Sequence, residues 1–469
     1  TLGINGLHKA TVQKVNMDNN QRSNIGYLGR ASYSYDDRYF FTGSYRRDGA
    51  SVFGVNQKWG DFFAFGGAWR LSSEKFMSSI SYLDDLKLKL SWGKNGNQGL
   101  DPYGTLSTIN NGASGGVRYE FGGSDIIYGL NQKALGNANL GWETTESWNT
   151  GFESAWLGSR LFVDLDLYFS KTTDQIFTRD IPVMTGFKNM KSSMGQVNNR
   201  GVELTIRSVN IDTQDWYWTT NLTFWLNRNK LIHLYGEDLD GDGREDDDIS
   251  NSRFIGKPLG AIYGYLQDGI VQETDVEYMK ANGATPGIPK YKDMDNDGVI
   301  TSADRIILGY STPNFKLNMS NTITYKNWDL YFMLTGTFGG GGYYQKSNKG
   351  AYLTNGSGRF NTNGIYIPWW TPENKSNEYP AATFNDDGGR FLGLQNRAFV
   401  RLQDVTLSYT FREPWVQKVN IQNLKVFFTT KNLFTITKWQ GGDPEVGVTV
   451  SENTYPVLTS FSLGANISF

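Results

Sequence analysis

A chain of 469 residues with net charge −2, two His and no Cys is long enough for several soluble domains or one large barrel. The charge gives no support for a nucleic-acid partner, and the missing Cys excludes a disulfide scaffold and any Cys-based metal or catalytic site. Only 38% of the residues are hydrophobic, yet there are 54 Gly, 28 Phe, 26 Tyr and 14 Trp. No apolar run is long enough for a transmembrane helix. A membrane β-barrel needs none, because only alternate residues meet lipid.

The N-terminal TLGINGLHKATVQ has neither a basic region nor an apolar core, so it is not a signal peptide. An exported chain requires one, and a preceding piece is expected. Some 13 strands follow, near 24–35, 38–46, 61–71, 85–94, 144–156, 160–171, 197–208, 215–229, 314–325, 328–338, 397–411, 421–431 and 457–469. In DLKLKLSW, Leu86, Leu88, Leu90 and Trp92 oppose Lys87, Lys89 and Ser91. In RLFVDLDLYFS, Leu161, Val163, Leu165, Leu167 and Phe169 oppose Asp164, Asp166, Tyr168 and Ser170. That period of two marks strands with one apolar and one polar face. In AFVRLQDVTLSYTF the phase slips after Leu402, which predicts a β-bulge near Gln403. The chain ends on Phe461, Leu463, Ala465, Ile467 and Phe469, alternating with small or polar residues. Such a terminal strand is a liability unless its sheet closes on itself.

A soluble β-sandwich also alternates, but its strands are shorter and its turns evenly spaced. Here YDD, WLGSR and YKN are tight, whereas 95–143, 172–196, 230–313, 339–396 and 432–456 are long. Short periplasmic turns and long extracellular loops are the barrel pattern. With the last strand ending at the periplasmic side, strand parity places every long connection outside. The fold expected is all-β, a transmembrane antiparallel β-barrel.

Two acidic loops carry metal-ligand spacing. In DMDNDGVITSAD, Asp293, Asp295 and Asp297 take the first, third and fifth places of an EF-hand-like loop. Gly298 allows the turn, Val299 offers a backbone carbonyl and Asp304 closes. Hard oxygen ligands suit calcium, and closure by Asp instead of Glu resembles dockerin-type loops. The plain alternative is an acidic surface turn. The predicted role is to stiffen the long loop 230–313. In DLDGDGREDDD, Asp238, Asp240 and Asp242 open the same way, but Ile249 stands at the closing place. Either residues 246–248 close a different cage or the stretch is a solvated tip. His8 and His233 lack partners at ligand spacing, the glycine run at 339–342 has no phosphate-loop context, and no catalytic constellation is present; no enzyme is predicted.

Six stretches in order resemble the C-terminal half of SusC/RagA-type TonB-dependent outer-membrane transporters of Bacteroidetes. They are NIGYLGRASYSYDDRYFFTGSYRRDGASVFG, LDDLKLKLSWGKNGNQ, GQVNNRGVELTI, KYKDMDNDGVITSADRIILG, WWTPENKSNEYPAA and GGDPEV. The resemblance implies a plugged barrel of about 22 strands in a Gram-negative outer membrane, with residues 1–469 as its C-terminal part. The plug, the TonB box and the first strands would lie on an N-terminal half. It implies TonB-dependent import of a bulky nutrient, an oligosaccharide ahead of a peptide, under a SusD-like surface lipoprotein. Energy would come from TonB–ExbB–ExbD through the N-terminal part. A structural role in a larger assembly or secretion complex is the alternative. Aromatic residues in the long loops, Tyr343, Tyr344, Tyr352, Tyr366, Trp369, Trp370, Phe384 and Trp439, are candidates to stack on substrate. Trp and Tyr also form membrane-interface girdles.

Overall fold

The structure, a computed structural model, describes residues 20–111, 118–119, 127–128, 130–187, 189–343, 368–382, 384, 393–412, 414–418, 421–439, 443–445 and 457–469. Thirteen long strands form one antiparallel sheet in chain order. They are β1 (Asn24–Tyr35), β2 (Tyr39–Ala50), β3 (Trp59–Arg70), β4 (Leu83–Asn97), β5 (Glu143–Trp156), β6 (Leu161–Asp180) and β7 (Asn189–Asp212), followed by β8 (Trp216–His233), β9 (Phe315–Tyr325), β10 (Trp328–Phe338), β11 (Phe399–Phe411), β12 (Asn423–Thr437) and β13 (Ser460–Ser468). Among the described residues β1 pairs only with β2 and β13 only with β12, so the sheet has two edges.

The register assigns the two faces. On one, Phe65 stacks on Trp92 at 6.1 Å, and Trp92 meets Trp148 at 6.3 Å. At the end of the sheet with the tight turns, Trp216, Tyr325, Trp328 and Tyr409 are successive cross-strand partners on the same face. Such a row, with apolar side chains exposed above it, is the lipid face and interfacial girdle of a barrel. The opposite face is polar. Lys89 lies 3.2 Å from Glu153, 2.9 Å from Asp164 and 3.2 Å from Asp166. Asp329 accepts from Thr324 at 2.8 Å and Lys425 at 2.9 Å. Each strand is thus specified by its alternation, because a one-residue slip would turn these charges into lipid.

The expected bulge is present: the register jumps from Leu402 to Asp404 against both neighbouring strands. Gln403, left over by the jump, accepts from Thr335 at 2.6 Å. Two connections differ from expectation. Segment 172–196 is no long loop, because β6 and β7 continue as a paired hairpin to Asp180 and from Asn189. The reason is burial. Phe177 and Val197 pack with Leu231 and Leu234 in one core cluster, and the local irregularity at Asp174, with φ of 56°, lets the ladder bend there. Likewise β12 runs on to Thr437, shortening the loop expected at 432–456. A second cluster joins Ala50, Val52 and Phe53 to Leu100 and Leu140. Both clusters lie at the loop end of the sheet, where long connections can cover apolar side chains from water.

One close approach inside the sheet is testable. Gly201 is the cross-strand partner of Tyr168, and a Cβ at Gly201 would stand 2.3 Å from the Tyr168 ring. The ring lies over the glycine, and its hydroxyl donates to Asn227 at 3.0 Å. Gly201→Val is expected to displace the ring and destabilise the barrel by about 1–3 kcal/mol. The check is a lowered temperature of the gel-mobility shift on heating the full-length protein; an unchanged transition refutes it.

Candidate functional site

The loop between β8 and β9 is a small folded module. Strands Ala261–Tyr265 and Arg305–Tyr310 pair, as do Gln267–Ile270 and Pro289–Tyr291, with a helix at Val276–Asn282. The acidic loop 293–304 lies between Pro289–Tyr291 and Arg305–Tyr310, and Ile300 is tied back to Asn282 by a 2.6 Å hydrogen bond. Asp293, Asp295 and Asp297 each bring an oxygen within 4.8 Å of the others. Asp293 accepts the N–H of Gly298 at 2.7 Å and Asp297 that of Val299 at 2.8 Å. The Gly298 N–H holds the Asp293 carboxyl below its ordinary value. Asp295 is pushed above its own, by partial desolvation and then by the charge of Asp297. A cation placed among the three would relieve that repulsion.

Asp304 is not one of the three clustered carboxylates. It is fully buried and accepts from Met294 and Thr301, each at 2.7 Å. It also completes a capping box with Thr301 at a short helical turn, Ser302–Asp304. Its shorter side chain thus closes the loop through backbone N–H groups. Val299 is exposed, with its N–H turned to Asp297.

The second loop repeats the arrangement with a different closing residue. Asp238 accepts from Gly243 at 3.0 Å, and Asp242 from Arg244 at 2.8 Å. Asp246 accepts from Leu239 at 2.6 Å, as Asp304 does from Met294. The clustered carboxylates are Asp238, Asp240 and Asp246, Asp246 being one of the residues 246–248 that could close a different cage. The signal was the early acidic run after Arg244, which closes a shorter loop than the twelve-residue pattern demands.

The WWTPEN segment does not present its second indole for stacking. Trp370 is 8% exposed, and its ring N–H donates to Gln272 at 2.9 Å. It packs where Gly287 leaves room: a Cβ there would stand 2.6 Å from the ring. Around it, Asn377 accepts from Ile270 at 3.0 Å, Ala381 donates to Gly287 at 2.7 Å, and Lys375 pairs with Glu273 at 2.8 Å. Segment 368–382 is therefore fastened to the 234–314 loop, about a hundred residues earlier. Trp369 is half-buried, with its carbonyl accepting from Asn374 at 2.6 Å. Trp439 is buried too. Burial removes Trp370 and Trp439 from the candidates for sugar stacking. Tyr344, Tyr352 and Tyr366 lie outside the described residues, and of Tyr343 only the backbone is described.

Sequence reasoning missed the anchor of the last loop. Arg401 at the start of β11 is 5% exposed and pairs with Asp443 at 2.7 Å and Glu445 at 2.8 Å. Asp443 and Glu445 belong to the GGDPEV stretch that precedes the last strand.

The chain is similar to TonB-dependent receptors. The TonB-dependent receptor P3 of Formosa agariphila is 29% identical over 96% of this chain and 46% of its own length. The TonB-dependent receptor SusC of Bacteroides thetaiotaomicron is 30% identical over 95% of this chain and 44% of its own. The chain thus spans about half the length of the curated relatives it matches. Among solved structures, the RagAB peptide transporter aligns with a TM-score of 0.76 at 24% identity, over 96% of this chain and 48% of that one, which is a likeness of fold. The family described as TonB dependent receptor-like, beta-barrel, matches residues 4–433. The chain belongs to that family of outer-membrane β-barrel proteins of Gram-negative bacteria.

Proposed function

We propose that this chain is the wall and rim of a TonB-dependent importer of bulky nutrients, with oligosaccharides as the substrate class. The supporting observation is the sheet itself: one lipid-compatible face, one polar face and, among the described residues, two unpaired edges, in a receptor-barrel family. Open edges in lipid leave amides unsatisfied at several kcal/mol each. The remaining strands and the plug would come from an N-terminal half of the same transporter, which would also carry the contact to TonB–ExbB–ExbD. The folded loops at one end of the sheet would seat a SusD-like surface lipoprotein. The likeness of fold to the RagAB peptide transporter makes peptides the second reading. The deciding experiment deletes the full-length gene in its host and measures growth on oligosaccharides and on peptides as sole carbon sources. Loss on oligosaccharides alone supports the first reading, and loss on peptides alone the second. Intact growth on both, with a damaged envelope, would point instead to a structural role.

We also propose calcium, held by Asp293, Asp295 and Asp297, as a stiffener of the long loop, with a second ion at Asp238, Asp240 and Asp246. Asp295→Asn is expected to weaken calcium binding to the full-length protein at least tenfold, because one of three carboxylate charges is lost. Binding should also weaken as pH falls through the raised pKa of Asp295, since the ion must displace that proton. Isothermal titration at two pH values checks both. Binding that neither the substitution nor acid alters would remove calcium from this loop.

A further inference from the structure

A hollow of about 400 Å³ opens on the polar face at the loop end of β1 to β4. Arg46, Asp48, Phe62, Asn95, Gln98 and Trp142 shape it. Its face follows from the register. Arg46 pairs with Phe62, Ser44 with Ala64, and Ala64 with Gly93, which is in phase with Lys89. The hollow therefore looks into the barrel interior, near the mouth formed by the long loops.

Its chemistry is uneven in a telling way. Asp48 is enclosed, with 12% of its side chain exposed, whereas the Arg46 side chain is 61% exposed. Asp48 holds Arg46 through Nε alone, at 2.6 Å and 2.8 Å to its two oxygens. Among the described residues the two terminal nitrogens of Arg46 have no hydrogen-bond partner. Here the carboxylate aims the guanidinium into the hollow. Lys94 also lines the hollow and Arg22 donates to Gln98 beside it, so cations outnumber the single carboxylate of the lining. The floor is aromatic and fixed. Phe62 meets the edge of Trp142 at 5.4 Å, Trp142 packs on Phe53 at 4.8 Å, and its ring N–H donates to the Lys58 carbonyl at 3.2 Å. Gly96 makes room for that floor, since a Cβ there would stand 2.1 Å from Phe62.

We infer that this hollow is a substrate subsite for a carboxylate carried beside an apolar or pyranose face. The inference rests on the import reading above. A planar guanidinium with two free nitrogens binds a carboxylate in a forked geometry, and a fixed aromatic floor accepts the adjoining surface with little ordering cost. Two sources share this chemistry: the C-terminus of a peptide, or a uronate unit of an oligosaccharide.

The test is equilibrium dialysis of the full-length transporter against four probes. These are a peptide digest with free C-termini, the same digest amidated, oligogalacturonate, and its carboxyl-reduced neutral counterpart. The wild type is expected to retain one acidic probe at least tenfold better than its neutral form, and which one identifies the source. Arg46→Gln should lower that preference about tenfold while the neutral probe binds as before. Arg46→Lys should keep part of it. Ser44→Asp, which sets a second carboxylate in the hollow without touching the Arg46–Asp48 contact, should abolish it. Equal retention of acidic and neutral probes by the wild type, or a preference that survives both Arg46→Gln and Ser44→Asp, overturns the subsite and leaves the import reading standing. Retention of none of the four by the wild type overturns both.

Discussion

Arg401→Ala is expected to detach the last loop from the wall of the sheet at a cost of about 3–5 kcal/mol, the usual penalty for removing one partner of a buried ion pair. Arg401 enters that pair from β11 and also donates to Thr435 of β12 at 3.0 Å, so it ties two strands and a loop together. Its guanidinium lies 4.9 Å from the Phe399 ring centroid, and truncation to Ala removes that cation–π attraction as well. Without Arg401, Asp443 would remain buried with an uncompensated charge. Protease cleavage near Asp443 in the full-length protein should rise by two orders of magnitude or more, about what 3 kcal/mol implies. Removing both charges as Arg401→Met with Asp443→Leu should recover much of the protection, because the desolvation penalty disappears with them. Equal cleavage of wild type and Arg401→Ala would show that the pair does not hold the loop.

Trp370→Ala should have an effect of similar size by a different route. The indole is buried between two segments far apart in sequence, and removing a buried Trp costs about 3–5 kcal/mol. The loss falls on the joint between 368–382 and the 234–314 loop, not on the sheet. Hydrogen exchange should therefore accelerate at the N–H groups of Ile270 and Ala381, which bond across that joint, while β9 and β10 stay protected. Trp370→Phe keeps most of the packing and loses only the bond to Gln272, so its cost should be nearer 1 kcal/mol. Exchange that quickens equally in the strands would mean that the loop and the barrel unfold as one unit. If the loop end seats a lipoprotein lid, Trp370→Ala should weaken that seat while leaving the barrel inserted.

The strands were legible because period-two alternation is a local property. Leu161 to Phe169 display their two faces without reference to any partner, and the phase slip after Leu402 announced its bulge in the same way. The acidic loops were legible as far as their spacing went. Asp293, Asp295 and Asp297 sit two residues apart and converge through local turns, and so do Asp238 and Asp240. The closing residues, Asp304 and one of 246–248, were legible too, but not the manner of closure, because Asp246 and Asp304 are recruited by backbone N–H groups whose positions depend on how the chain returns.

What the sequence alone determined was the all-β membrane architecture, the number and order of its strands and the ends at which long connections gather, since each depends on residues within one strand or turn. Tertiary structure alone decided the rest. It turned 172–196 into paired strand by burying Phe177 and Val197 against Leu231 and Leu234. It buried Trp370 on Gln272 and Arg401 on Asp443, and it set Arg46 beside Asp48 in a hollow. Except for the Arg46–Asp48 contact within one strand, these depend on which segments meet across long separations in sequence. Solvent exclusion at those meetings is a property of the assembled surface that no local pattern encodes.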